Sequence, residues 1–136
     1  MIYTPPDRKP IPGPEYLQST RFIDSDKDAV LRFAQQAAGA AKTDIERAVK
    51  LFYAVRDGVR YDPFSMRLEP DIYVASHVLT AKSAYCIPKA ILLAACARAL
   101  GISCAIGLSD VVNHLTTEKL KALMGGTTYF LSLIHI

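Results

Sequence analysis

Three cysteines (Cys86, Cys96, Cys104) and three histidines (His77, His114, His135) are the side chains of this chain best suited to covalent and proton-transfer chemistry. A thiolate attacks a carbonyl carbon, and a histidine carries the proton between thiol and leaving group. Cys86 is set apart by its place. It opens CIPKAILLAACARAL, a run in which Lys89 and Arg98 are the only charges. The run predicts a helix from Cys86 to Leu100, with Pro88 in its first turn and Gly101 just past its end. A cysteine at a helix start meets unsatisfied amide donors and the positive end of the dipole, which favour the thiolate. Its own amide can also donate to an oxyanion. The plainer reading makes Cys86 a small apolar residue filling core space, as most free cysteines do.

The other candidates read more plainly. Cys96 lies inside the apolar helix and Cys104 in the apolar stretch after it, so both are expected to pack in the core. His77 falls in ASHVLTAK, a brief helical turn, and is read as a surface residue. His114, in DVVNHLTT, reads either as a hydrogen-bonding loop residue or as a proton carrier paired with Asp110. His135 lies in the last stretch, LSLIHI. Three cysteines without a CxxC pairing argue against a disulfide framework and against structural zinc. No metal and no cofactor is expected.

These residues need elements to hold them. A length of 136 residues suits one domain with a real core, and 51% hydrophobic with 21% charged residues is an ordinary globular balance. The net charge of +3 is small and scattered, so nucleic acid is not an expected partner. The longest apolar stretch, Ala90 to Ala97, is too short for a bilayer, and no signal peptide is evident at the start. A cytoplasmic location without membrane contact is the expectation, and the oligomeric state is left open. Five prolines within residues 1–14 predict an extended arm over 1–20. One helix is expected from Ser25 to Gly39, capped by Ser25. A second follows Thr43, where Thr43 and Glu46 have capping-box spacing and Ile45, Val49, Leu51, Phe52 and Val55 suggest an apolar stripe. VRYDPF reads as a short extended stretch and residues 64–75 as a loop. After the central helix come a strand in ISCAIGLSD, a helix from Thr116 to Met124 and a strand in TTYFLSLI.

VRYDPF, followed by ASHVLTAKSAYCIPKAILLAACARALGISCAIGLSDVVNHL, resembles the core of the transglutaminase-like superfamily, over roughly Tyr16 to Phe130. The most specific block runs from Tyr85 to Ile102, where cysteine, proline, helix and RALGI follow in order. The resemblance implies an α+β fold. N-terminal helices lead to a buried central helix with an N-terminal cysteine, packed on an antiparallel sheet, in a domain spanning 21–136. It also implies a papain-like order of Cys, His and Asp, in which a thiolate attacks a peptide or protein amide and water or an amine resolves the thioester.

Two departures stand out. Ala84 occupies the position where the family usually has glycine. The family histidine and aspartate sit on later strands, whereas this chain has no tryptophan and no acid after Glu118. Of the family's site, only Cys86 carries over; His135 lies in the right region without its usual flanks, and His114 matches a different position. The expectation is therefore an incomplete, C-terminally truncated domain of a cysteine hydrolase or acyltransferase, impaired in catalysis. The alternative is a degenerate domain that binds proteins without catalysis.

Overall fold

In a computed structural model of the chain, residues 13–112, 117–123, 125 and 129–135 are described. The first twelve residues of the expected arm, and His114, lie outside the described residues. The described end of the arm is not wholly extended, because Pro14–Leu17 forms a 3-10 turn with proline at its start.

Helix α1 spans Asp28–Ala38 and buries Val30, Ala34 and Ala38 at helical spacing. It begins three residues later than Ser25 predicted, and its N-cap, Lys27, makes no side-chain cap bond. The displaced residues work elsewhere. Ser25 is buried, and the Asp24 carboxylate accepts a hydrogen bond from the Ser76 amide at 3.0 Å. Helix α2 spans Asp44–Gly58 and starts with the predicted capping box: Glu46 N donates to Thr43 Oγ1 at 3.2 Å, and Thr43 N to Glu46 Oε2 at 3.2 Å. Its apolar stripe needs correction. Leu51 and Val55 are buried, whereas Ile45, Val49 and Phe52 face solvent. At about 100° per residue, Val49 and Leu51 point to opposite sides, so one helix–core contact cannot cover both.

The chain then forms strand β1 (Arg60–Tyr61), a 3-10 turn (Pro70–Tyr73), helix α3 (Ala75–Val78) and strand β2 (Ser83–Ala84). Helix α4, Cys86–Ala99, follows directly. Its end is a Schellman motif: Ile102 N donates to Ala97 O at 2.9 Å and Gly101 N to Arg98 O at 3.0 Å, with Gly101 at φ 77°. The next strand, β3 (Ile106–Val112), starts later than ISCAIGLSD predicted. Residues 102–105 are occupied instead by the helix cap and by Arg98, whose guanidinium donates to Cys104 O at 2.8 and 3.0 Å and to Gln18 O at 2.7 Å. Helix α5 (Glu118–Leu123) and strand β4 (Tyr129–His135) complete the order.

α4 sits at the centre. It contacts α1, α2, α3 and β2 to β4, and Ala94, Ala95, Cys96 and Leu92 are fully buried in the shared core. The chain is thus a mixed α+β fold of helices with small sheets. The sheet differs from the expectation of one antiparallel sheet under the central helix. The described strands form two separate pairs, and the pair that leads into Cys86, β1 with β2, is parallel, Arg60 opposite Ser83 and Tyr61 opposite Ala84. Two residues per strand suffice here because Asp62 N extends the contact to Ala84 O at 3.0 Å. β3 and β4 form the other pair, antiparallel from Ile106–His135 to Val112–Tyr129, and both strands contact α4, so the antiparallel expectation holds for this pair and not for the parallel β1–β2 pair. No helix among the described residues is long and apolar enough to cross a membrane.

Candidate functional site

Cys86 is the first residue of α4, with Tyr85 as N-cap. Tyr85 offers no side-chain cap, so no side chain competes for the amides of the first turn. The amides of Ile87 and of Cys86 itself pull the Cys86 thiol pKa down, as the helix-start argument requires. Burial outweighs them, and the thiol lies above its ordinary value. The expectation that the helix start alone favours the thiolate is corrected: desolvation of a half-buried sulfur exceeds what two amides return. Even so, Cys86 differs from the other two thiols. Cys96 is fully buried with its pKa pushed up to about 12 by burial, and buried Cys104 is raised by burial with partial relief from Arg98.

The surroundings of Cys86 are aromatic. Tyr61 and Tyr85 are both raised by burial first and, in part, by the nearby Cys86 sulfur. The Tyr85 hydroxyl meets that of Tyr73 at 2.7 Å, and the rings pack edge to face with centroids 6.4 Å apart. Ala84 stands where a glycine was expected without cost to the turn. No described non-glycine residue has positive φ, and Ala84 is ordinary strand backbone. Lys89, one turn after Cys86, points away from service to the sulfur. Its Nζ donates to Arg56 O at 2.8 Å and to Val59 O, closing the C-terminal end of α2.

His77, the one histidine whose side chain is described, is not hydrogen-bonded to the thiol. Among the described residues, no histidine or carboxylate is hydrogen-bonded to Cys86. His77 is exposed on α3 and lines a neighbouring cleft. His135 is the last residue of β4, opposite Ile106, and Asp110 lies opposite Leu131. No cluster of three His, Cys, Asp or Glu side chains suited to a metal occurs among the described residues. Sequence reasoning missed Tyr61, Tyr73 and Lys89, since partners brought together by tertiary packing leave no periodic signal. The cleft, of about 470 Å³, runs beside the start of α4 between α3, β2 and the segment from Ser65 to Ile72.

Residues 31–126 match the family model of the transglutaminase-like superfamily, which covers more than half the chain, and the chain belongs to that superfamily. No curated protein and no solved structure matches it.

Proposed function

We propose that Cys86 is the acyl-accepting nucleophile of a transglutaminase-like domain acting on peptide or protein amides. The observation that supports this reading most is the position of Cys86: the half-buried first residue of a buried helix, with two backbone amides at its sulfur. In the forward step, a bond forms between Sγ and the carbonyl carbon and the C–N bond breaks. The leaving nitrogen departs as the amine, taking the thiol proton. The amide that holds the sulfur is also suited to steady the oxyanion of the intermediate. Resolution of the thioester then needs water or an amine as the acyl acceptor, with a base to take its proton.

The test is an N-blocked glutaminyl peptide with hydroxylamine, an amine that resolves a thioester without a protein base. Hydroxamate should form in the chain, at a rate limited by acylation, and vanish in Cys86→Ala. Equal product from Cys86→Ala contradicts the proposal.

A second reading, a protein-binding role without catalysis, is favoured by one observation. Ile45, Val49 and Phe52 lie at i, i+4 and i+7 on the outer side of α2, with Ile45 78% exposed. On that reading Cys86→Ala changes no measured activity, and polar substitution at Val49 and Phe52 abolishes partner capture.

A further inference from the structure

The cleft beside α4 has a composition that the thiol reading does not use. Its floor is apolar: Val78, Ala84 and Pro88 are buried, and Ile72 closes one side. Its rim is cationic. Arg67 and Lys82 line it, both exposed, and neither has an ion-pair or hydrogen-bond partner among the described residues. His77 adds a third basic group, and Asp71 is the one acid in the lining. The thiol is not in the wall. Pro88 follows Cys86 by two residues, about 200° round the helix, so the cleft and the sulfur lie on different flanks of α4.

We infer that this cleft binds a small organic anion with an apolar body, the acid group held between Arg67 and Lys82 and the body against Val78 and Pro88. A pocket of this size suits a ligand of small-molecule dimensions, with few polar groups over an apolar floor. Two unpaired cations against one carboxylate leave a positive field at the mouth, and the apolar floor rewards a hydrophobic group that a bare inorganic ion lacks. The inference stands independently of the role of Cys86.

The test is an amide-resolved NMR titration of the full chain with N-acetylphenylalanine and phenyl phosphate, and with neutral N-acetylphenylalaninamide as control. Saturable shifts are expected at the amides of Thr80 to Ser83 for the anions, and the tighter anion identifies the acid group recognised. The neutral amide should bind at least about fivefold more weakly, as should either anion to Arg67→Gln/Lys82→Gln, while Asp71→Asn should tighten binding about twofold. These surface variants keep the buried floor, and an unchanged spectrum away from the cleft verifies their fold. Absence of saturable shifts, equal binding of the neutral amide, or undiminished anion binding by the double variant overturns the inference.

Discussion

The Tyr85 hydroxyl lies 2.7 Å from the Tyr73 hydroxyl, which ties the residue just before Cys86 to the 3-10 turn packed on α4. The bond spans the junction between β2 and α4 and holds the backbone from which the thiol projects. Tyr85→Phe, which removes one hydroxyl and leaves the ring, should cost about 1 kcal/mol. It should also alter the alkaline limb of stability. Burial first, then the Tyr73 hydrogen bond, raises the Tyr85 pKa above its ordinary value of 10.0. A raised folded pKa means that the stabilisation is complete below the unfolded value and is lost as pH climbs above 10 towards the folded one. Denaturant unfolding between pH 8 and 11 should therefore show a decline in the parent chain that is shallower in Tyr85→Phe.

Leu92 is fully buried in the face that α4 presents to the shared core, whereas Leu93 is only partly covered. Leu92→Ala should destabilise by about 2–5 kcal/mol through the cavity it opens, and Leu93→Ala by less. Equilibrium urea unfolding checks the ranking, and a larger loss at Leu93 would reverse the assigned orientation of the helix.

Arg98, 9% exposed, joins three segments by donating to Cys104 O and Gln18 O. Arg98→Lys keeps the charge but loses the planar fork that reaches both carbonyls, so it should cost about 1–3 kcal/mol. Thermal unfolding of Arg98→Lys and Arg98→Met separates loss of the fork from loss of charge. A melting temperature unchanged in both removes Arg98 from the account.

The sequence and the structure agree where the signal is local. The capping box at Thr43, the glycine at 101 and the central apolar helix are written in adjacent residues, and each is found. They part where a residue is recruited by something distant. Ser25 and Asp24 look like a helix start, yet Asp24 holds the Ser76 amide and α1 begins at Asp28. Ile45, Val49 and Phe52 look like a core stripe, yet the core takes the Leu51 and Val55 side of the same helix. At the candidate site the position of Cys86 was legible, whereas its burial was not, because desolvation is set by tertiary packing that adjacent residues do not encode. The start of α4 by itself pulls the Cys86 thiol down, and burial reverses the sign.

The raised Cys86 thiol carries its own expectation. Less thiolate is present at neutral pH than for a free thiol, so iodoacetamide labelling should be slow at pH 7. It should accelerate as pH rises through and above the ordinary thiol value of 9.0. A labelling rate already flat at pH 7 would show a depressed pKa instead.

Site-resolved acylation tests the central assignment most directly. The chain is treated briefly with p-nitrophenyl acetate at pH 8 under native conditions, digested, and the acetyl thioester located by mass spectrometry. The sulfur gains the acetyl group as the C–O bond breaks and nitrophenolate leaves with the electron pair. Cys86 should carry the thioester well ahead of buried Cys96 and Cys104, and hydroxylamine should remove it. Acetylation spread evenly over the three thiols, or centred on Cys96 or Cys104, would contradict the assignment of Cys86 as the nucleophile.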